Sequence, residues 1–548
     1  MKLIRLEKYA LLIVPLLFLL YSAPSALDYL FFHADEKRYT DAVIYMMDKE
    51  DYFTPIQSDG ETPRFKKPIL TYWVLMGGYK LFGVSPIGSR FFFWIAGALL
   101  VVISYLMTNA LLKNRKVAMF AAFVVASNPL VLMSASRSIP DVLLVTFLTI
   151  SAWGFLEIML REKPSKKFYW MAYLGTALAF ETKGIPAVAF AVFSMLFMVL
   201  NPWKRVLLQK LFEPVSMIFS TVVALSWFVL MYILHGSGYL DVFFADQVGD
   251  RVSSKIVQVF GNGMLGVLNL VLFMVPWIIL LFSKPAELKK TIGASKKETK
   301  AILGFVATWV VLIVLMSASV FRFYDRYILP CIPLVSMVVA YFVVFVKMRF
   351  QRGILCFFVG FNLVILFISL LYLVFIAFSP VLFAGVLVEL DLAVLYFCGA
   401  LKKIPKEILI ANGLLLVYFS AHILLYSVLM PVPAKQLAVE LEKHLENKQD
   451  NVYIYGHLGI PANVRVQSNG RLNVISMDTV YVLPDNPNHI IAFRKKEADL
   501  LNLKDYDIYP GSQTFANVPA EKFPLFLRKP IVKIQQNGKQ YLIGKPKQ

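Results

Sequence analysis

The residues best suited to chemistry in this sequence are charged side chains at the predicted ends of apolar segments. Asp-Glu-Lys-Arg-Tyr occupies residues 35–39, directly after the first apolar run. Carboxylates of this kind can accept a proton, and cations can bind an anionic group. Charge held at the edge of a membrane is costly unless it is paired or functional, so we expect an outward-facing cavity lined by acidic and basic groups. Further charges predicted on the same side are Arg137, Asp141, Glu181, Lys183, Asp241, Asp246, Asp250, Arg251, Arg322, Asp325 and Arg326.

Each of these residues also has a simpler structural interpretation. Arg137 and Asp141 are spaced as an i,i+4 surface pair on a helix, and Lys183 with Gly184 is typical of a helix end. Asp35 is equally suited to capping a helix. The argument for a functional site therefore depends on their convergence, not on any single residue.

The composition indicates a membrane protein. Of 548 residues, 58% are hydrophobic and 16% are charged, against about 45–50% and about 25% in soluble proteins. The formal net charge is +20, but the basic residues are concentrated between apolar runs, where membrane topology explains them without nucleic acid. Cys331, Cys356 and Cys398 lie within apolar runs, so we expect neither a disulfide framework nor a cysteine metal site.

Apolar runs of near-spanning length recur up to about residue 430 and predict a polytopic α-helical protein with about thirteen transmembrane helices. The end of the first run contains a possible cleavage site at 23–26, and we favour an uncleaved anchor. The runs are 9–27, 88–112, 117–134, 140–160, 168–181, 185–200, 212–234, 263–283, 301–319, 327–346, 353–377, 382–400 and 408–430.

The distribution of basic residues predicts the orientation. If the N-terminus is cytoplasmic, every inside segment carries at least three Lys or Arg residues, and the short outside connections carry at most two. Positive loops stay inside, so 431–548 is expected outside. We divide the chain into a transmembrane domain, 1–430, whose outer loop 28–87 contains two amphipathic stretches at 39–47 and 69–82, and a small extracytoplasmic α/β domain, 431–548.

The pattern in 431–548 changes from apolar runs to alternation. Residues 451–455, 480–483 and 489–493 are predicted to be strands, and 434–448 a helix. Nothing in these motifs indicates chemistry, and we expect a lid or docking module.

Taken together, five motifs resemble those of the bacterial membrane glycosyltransferases with the GT-C fold. Within these, the chain looks like the aminoarabinose (lipid A) transferase branch, which is related to protein O-mannosyltransferases. The motifs are Asp35-Glu36-x-Arg38-Tyr39, Lys67-Pro68, Arg137 to Asp141, Thr182-Lys183-Gly184 and Arg326-Tyr327-Ile328-Leu329-Pro330.

The resemblance implies transfer of a sugar, with inversion, from a polyprenyl-phosphate donor to an acceptor on the outer face of the bacterial inner membrane. The expected acceptor is lipid A or another envelope glycolipid; a protein hydroxyl is the alternative, and a lipid or sugar transporter or flippase is the rival of another class. We expect a monomer that binds membrane lipids and no nucleic acid.

The same resemblance implies roles for particular residues. Asp35 is the expected principal catalytic carboxylate, with Asp141 and Glu36 as further catalytic candidates. The donor phosphate is expected to be held by Arg38, Lys67, Arg326, Tyr327 and Tyr324, and the substrate cavity to be lined by Tyr39, Arg137 and Lys183. Contact of the cations with anionic headgroups is the simpler alternative.

One position departs from the family pattern. Family members often have an acidic residue, implicated in metal binding, immediately before Lys-Pro, whereas Lys66 occupies that position here. A divalent metal is therefore doubtful, and we expect no cofactor.

Overall fold

The fold is described by a computed structural model of the chain. It covers residues 2–27, 34–245, 256–321, 323–346, 350–402, 404–425, 433–445, 447, 450–456, 460–478, 480–485, 488–513, 520–536 and 540–547. The candidate charges Asp246, Asp250, Arg251 and Arg322 lie outside these residues.

The long secondary-structure elements of the transmembrane part are α-helices. In chain order its helices are α1 Lys2–Leu27, α2 Ala34–Asp48, α3 Leu70–Phe82, α4 Pro86–Leu112, α5 Arg115–Ala126, α6 Pro129–Ala135, α7 Asp141–Leu160, α8 Lys166–Lys183, α9 Pro186–Leu200, α10 Leu208–Leu211, α11 Pro214–His235, α12 Ser237–Phe244, α13 Ile256–Phe273, α14 Trp277–Phe282, α15 Pro285–Ala294, α16 Lys297–Ser319, α17 Ile332–Phe345, α18 Gln351–Phe375, α19 Pro380–Phe397 and α20 Lys406–Leu424. A 3-10 helix, Asp325–Cys331, leads directly into α17.

The expected multi-pass α-helical architecture is confirmed, but fewer helices than the expected thirteen meet the requirements for a span. Within the described ranges, nine helices are long and apolar enough to cross a membrane, or ten if the bent pair α5 and α6 is one span. The nine are Glu7–Leu27, Pro86–Leu112, Asp141–Leu160, Pro214–His235, Lys297–Ser319, Asp325–Phe345, Gln351–Phe375, Pro380–Phe397 and Lys406–Leu424.

The three remaining runs form helices that fall short for identifiable reasons. The run 168–181 becomes α8, whose ends carry Lys166, Lys167, Glu181 and Lys183. The run 185–200 becomes a helix of 15 residues. The run 263–283 is interrupted between α13 and α14 at Pro276, which has no backbone N–H to continue the helix.

The two amphipathic stretches of the loop 28–87 form α2 and α3, which pack against each other. α3 in turn packs on α4, and α4 contacts α1, α5 and α7. α2 and α3 are therefore connected through α4 to α7, whose first residue is the candidate Asp141.

The C-terminal part contains α21 Pro433–His444, β1 Asn451–Tyr455, α22 Ile460–Gln467, β2 Asn473–Asp478, β3 His489–Arg494, β4 Tyr506–Gln513, α23 Leu525–Gln536 and β5 Gln540–Pro546. The strands form one sheet in the order β2-β1-β3-β5-β4. β1 is parallel to β2 and β3, whereas β5 is antiparallel to β3 and β4. Buried apolar residues from α21, α22 and the strands form a separate core.

The prediction of a strand at 480–483 is wrong. The described backbone there is irregular, and the second strand is instead 473–478. The apolar residues of 480–483 lie across β1 by side-chain contacts: Tyr481 stacks on Tyr455 at 6.2 Å between ring centroids, and the Tyr455 hydroxyl donates to the Val482 carbonyl at 2.7 Å. Alternation alone did not distinguish this packed loop from a paired strand.

Candidate active site

The candidate residues lie at the ends of helices that meet in the bundle. Asp35 and Glu36 lie in the first turn of α2, and Asp141 is the first residue of α7. Carboxylates are favoured at these positions because the N-terminus of a helix carries partial positive charge. Lys183 ends α8, and Arg326 lies at the start of the 3-10 helix that precedes α17.

Four of the predicted residues form one continuous ion-pair chain. Arg326 Nη2 lies 2.6 Å from Asp35 Oδ2, and Arg326 Nε lies 3.6 Å from Asp141 Oδ2. Lys183 Nζ pairs with the other oxygen of Asp141. The structure thus brings together residues that are up to 291 positions apart in the sequence. We call Asp35, Asp141, Lys183 and Arg326 the carboxylate cluster.

The two carboxylates of the cluster differ in exposure. The side chain of Asp35 is 30% exposed, whereas that of Asp141 is 4% exposed. Asp35 is therefore the more accessible carboxylate, although each of the two faces a pair of cations: Arg326 and Arg38 for Asp35, and Arg326 and Lys183 for Asp141.

Arg38 and the two tyrosines that were predicted to bind the donor phosphate lie beside this cluster. Arg38, which is 63% exposed, lies 3.7 Å from Asp35. The Arg326 guanidinium lies 4.9 Å from the Tyr324 ring centroid, and Lys183 Nζ lies 5.5 Å from the Tyr327 ring centroid. Both tyrosines therefore contact the cations of the cluster through their aromatic faces.

Glu36 has a different environment from its neighbour Asp35. It is fully buried, and its oxygens accept hydrogen bonds from Arg90 Nε at 3.0 Å and Arg90 Nη2 at 2.9 Å. The Ser138 amide also donates to Glu36 at 2.8 Å, and Arg90 Nη1 donates to the Ser25 carbonyl at 2.8 Å. These contacts tie α2 to α1, α4 and the turn before α7. They favour a positioning role for Glu36 over proton transfer.

The structure adds Arg64, to which the sequence assigned no role. Its guanidinium lies 5.0 Å from the Tyr39 ring centroid and 5.8 Å from the Tyr72 ring centroid, and it donates a hydrogen bond to the Tyr72 hydroxyl. Burial raises the pKa of Tyr39 above its ordinary value. The signal in the sequence was a basic segment, 64–67, followed by the aromatic-rich 69–82.

The loop that carries Arg64 also determines the environment of the predicted phosphate-binding lysine. Lys67 is buried, whereas the preceding Lys66 is exposed. Pro68 and the first turn of α3 follow directly. Lys67 therefore lies in the packed part of the loop 28–87.

Arg137 lies in the wall of a separate cavity. It lines a cavity of about 360 Å³ together with Ser25, Tyr418, His422 and apolar residues of α6 and α20. Burial lowers the pKa of Arg137, and the nearby Glu36 counteracts this. Tyr39 and Lys183, predicted with Arg137 to line one substrate cavity, are not part of this lining.

The donor set of the cluster does not fit a divalent metal. Within the ranges that the structure describes, no three His, Cys, Asp or Glu side chains are grouped as metal ligands are. Asp35 and Asp141 face Arg326 and Lys183, and cations in these positions oppose a second positive charge.

The fold defines the class of protein. The chain is a multi-pass membrane protein of the GT-C fold, because its structure superposes on the crystal structure of ArnT from Cupriavidus metallidurans bound to undecaprenyl phosphate, with a TM-score of 0.66. The match covers 99% of this chain and 98% of that one, at 16% sequence identity. This likeness confirms the predicted fold.

Sequence relatives agree with the resemblance predicted from the motifs. The chain is 27% identical over 340 residues to an uncharacterized protein of Aquifex aeolicus, covering 62% of this chain and 64% of the relative. It is 27% identical over 313 residues to the undecaprenyl phosphate-alpha-4-amino-4-deoxy-L-arabinose arabinosyl transferase of Yersinia pestis, covering 57% of this chain and 55% of the relative. The matches thus span less than two thirds of the length of these curated relatives.

A family model matches the N-terminal half of the transmembrane part. Residues 8–247 match the model described as dolichyl-phosphate-mannose-protein mannosyltransferase. This range includes Asp35, Lys67, Asp141 and Lys183, whereas Arg326 lies beyond it.

Proposed function

We propose that the protein is a glycosyltransferase that moves a sugar from a polyprenyl-phosphate donor to lipid A or another envelope glycolipid. The observation that carries this proposal is the pairing of Asp35 and Asp141 through a single guanidinium, that of Arg326. This arrangement offers a reachable carboxylate beside preset cations, which is what transfer of a sugar from a phosphate requires.

The cations stabilise the phosphate that leaves the sugar. As the bond between the anomeric carbon and the phosphate oxygen breaks, its electron pair passes to that oxygen and the phosphate gains negative charge. Arg326, Lys67 and Arg38 stabilise this charge more strongly in the transition state than in the bound donor, which accelerates the step. The planar guanidinium of Arg38 matches two phosphate oxygens.

The carboxylates act on the sugar and on the acceptor. Asp35 stabilises the positive charge that develops on the sugar ring as the donor bond breaks. If the acceptor is a hydroxyl, Asp35 also takes its proton while the hydroxyl oxygen bonds to the opposite face of the anomeric carbon, which gives inversion. If the acceptor is an ionised phosphate, no proton moves and Asp35 acts through its charge alone. Asp141, held by Lys183, orients the sugar hydroxyls.

The name of the Yersinia pestis relative contains a sugar linked to undecaprenyl phosphate, which supports the polyprenyl-phosphate donor, whereas the name of the matching family model supports a protein acceptor. We assign the reaction to the outer face of a bacterial inner membrane, with the C-terminal domain on the same side, because the basic residues predict that orientation. The reaction uses no cofactor, and the protein acts as a monomer.

The experiment that tests this proposal uses the full chain in lipid nanodiscs with undecaprenyl-phosphate 4-amino-4-deoxy-arabinose and undecaprenyl-phosphate mannose as separate donors. Lipid A and an unstructured Ser/Thr-rich peptide are offered together as acceptors, and both are weighed by mass spectrometry. The proposal predicts that lipid A gains one sugar mass while free undecaprenyl phosphate appears in equal amount. Sugar on the peptide alone would replace the lipid acceptor with a protein acceptor.

A transporter would give a different result in the same assay. It would move the donor across the bilayer and leave the sugar-phosphate bond intact. An absence of undecaprenyl phosphate release with every donor and acceptor, from protein that binds donor, would overturn the transferase proposal.

A further inference from the structure

A buried arginine of the C-terminal domain contacts the helix that carries Asp35. Arg465 lies on α22, and its side chain is 9% exposed. Its Nη1 lies 3.5 Å from Asp41 Oδ1, and its Nη2 donates to the Tyr45 hydroxyl at 3.1 Å. The guanidinium also lies 5.1 Å from the Tyr45 ring centroid. Asp41 and Tyr45 both belong to α2.

The Arg465 guanidinium is also held by hydrogen bonds within the C-terminal domain. Arg465 Nε donates to the Val474 carbonyl of β2 at 2.8 Å, and Nη2 donates to the same carbonyl. An arginine held in this way has one orientation available, so its remaining donors present a rigid fork to α2. A point charge on a flexible stem cannot make these contacts simultaneously.

A second contact places the same region against the membrane helices. Gly470, in the turn after α22, has a φ of +71° and lies so close to Val84 that an added Cβ would be 3.4 Å from the Val84 Cβ. Val84 belongs to the short connection between α3 and α4. The C-terminal domain therefore packs both on α2 and beside the start of α4.

These contacts place α2 between two buried arginines from different parts of the chain. Arg90 of α4 binds Glu36 in its first turn, and Arg465 binds Asp41 and Tyr45 farther along. Asp35 precedes Asp41 by six residues, or about 9 Å along the helix axis. The two arginines together fix both the position and the tilt of the helix that presents Asp35 to Arg326.

We infer that Arg465 is a positioning residue for the transferase reaction, so that the C-terminal domain completes the active site by holding α2 in register. This inference rests on the proposed function. A misplacement of about 1 Å can cost about a hundredfold in rate, and Asp35 depends on α2 for its distance to Arg326. The domain that the sequence presented as a lid or docking module thereby acquires a role in catalysis without touching substrate.

The test compares Arg465→Met with the matched control Arg471→Met in the full chain in nanodiscs. Arg471 belongs to the same domain, is 59% exposed and pairs with Glu442, not with α2. We expect Arg465→Met to lower kcat about thirtyfold while the donor KM stays within about threefold, because the cations that bind the donor are untouched. Arg471→Met should leave both constants within about twofold. A kcat of Arg465→Met within twofold of the native value would overturn the inference.

A second readout does not depend on turnover. Hydrogen exchange should accelerate at least tenfold in the amides of α2 when Arg465 is replaced by Met, and should not change with Arg471→Met, because only the former releases the helix. If native protein transferred no sugar but α2 still lost protection, the proposed function would fail and the anchoring would stand. Unchanged protection of α2 would overturn the anchoring itself.

Milder variants cover the case in which Arg465→Met does not fold. Arg465→Lys keeps the charge but loses the fork, and Tyr45→Phe removes one hydrogen-bond acceptor. Each should lower kcat by about threefold to tenfold at unchanged donor KM, and with Asp41→Asn their losses should be less than multiplicative because the residues share one contact. Multiplicative losses would contradict an action through α2.

Discussion

Two adjacent residues of α2 occupy opposite kinds of electrostatic environment. Glu36 is buried and bound in a matched, bidentate pair by Arg90, with distances of 2.9 and 3.0 Å. Asp35 is partly exposed and shares Arg326 with a second carboxylate, one contact at 2.6 Å and the other at 3.6 Å. A buried, fully paired carboxylate such as Glu36 stabilises the fold. A partly exposed carboxylate such as Asp35 can exchange its contact with Arg326 for a contact with substrate.

The difference explains how a single short motif can supply both a reactive group and its support. The Glu36 pair has its hydrogen bonds completed by Ser138 and Ser25, as a buried charge requires. In the carboxylate cluster Asp35 remains partly exposed, and the neighbouring Arg38 is exposed.

The largest effect is expected at the residue that joins the two carboxylates. Arg326→Met should lower kcat about a thousandfold, because it removes a cation from the leaving phosphate and leaves Asp35 and Asp141 facing each other without it. Single-turnover measurements at saturating donor give the rate. A rate within tenfold of native, in protein with an unchanged melting temperature, would remove Arg326 from the mechanism.

Loss of the buried pair between Arg90 and Glu36 should lower the stability of the protein. Arg90→Met leaves Glu36 buried without its partner guanidinium and should destabilise the protein by about 3–5 kcal/mol. Thermal unfolding in nanodiscs measures this, with the exposed Arg115→Met as control, which should shift the melting temperature little. Equal melting temperatures for the two variants would show that the Glu36 pair does not hold α2.

Arg38 distinguishes a phosphate site from contact with lipid headgroups. Arg38→Lys should lower kcat/KM for the donor about tenfold, because a lysine cannot bind two phosphate oxygens as a planar fork does. The comparison is made by steady-state kinetics at limiting and saturating donor. Full activity under both conditions would assign Arg38 to anionic headgroups.

Removal of divalent metal should have the smallest effect. Because the carboxylates of the cluster face protein cations, EDTA should leave the rate of sugar transfer within about twofold. The assay is repeated after dialysis and after return of Mg²⁺ or Mn²⁺. A loss of activity that either metal restores would contradict the cation-paired description of the cluster.

The charged motifs of the site could be recognised in the sequence because their residue types and order are local properties. It assigned no role to Arg90, since an arginine near the start of an apolar run resembles an interfacial cation, and its partner Glu36 lies 54 positions away. Arg64 was missed for a similar reason, because its aromatic neighbours Tyr39 and Tyr72 come from two different helices. Pairings of this kind depend on tertiary packing, which periodicity does not encode.

The C-terminal part shows the same limit. Alternating residues located β1 and β3 correctly, but 480–483 packs on β1 as a loop through Tyr481 and Val482. The contacts of Arg465 with α2 span 424 residues of sequence, and no local pattern in either segment indicates them. Helices and strands could thus be predicted where buried residues recur with helical or strand periodicity. The tertiary contacts of Arg90 and Arg465, which hold α2, could not.

The central claim is that Asp35 takes part in sugar transfer and Glu36 supports it, and one paired measurement tests it most directly. Asp35→Asn and Glu36→Gln remove one charge each from adjacent positions, and their single-turnover rates are measured per folded molecule at saturating donor. We predict a loss of about a thousandfold for Asp35→Asn with an unchanged melting temperature, and a lowered melting temperature for Glu36→Gln with a rate within about tenfold of native. Native turnover by Asp35→Asn, or a thousandfold loss confined to Glu36→Gln, would contradict this account.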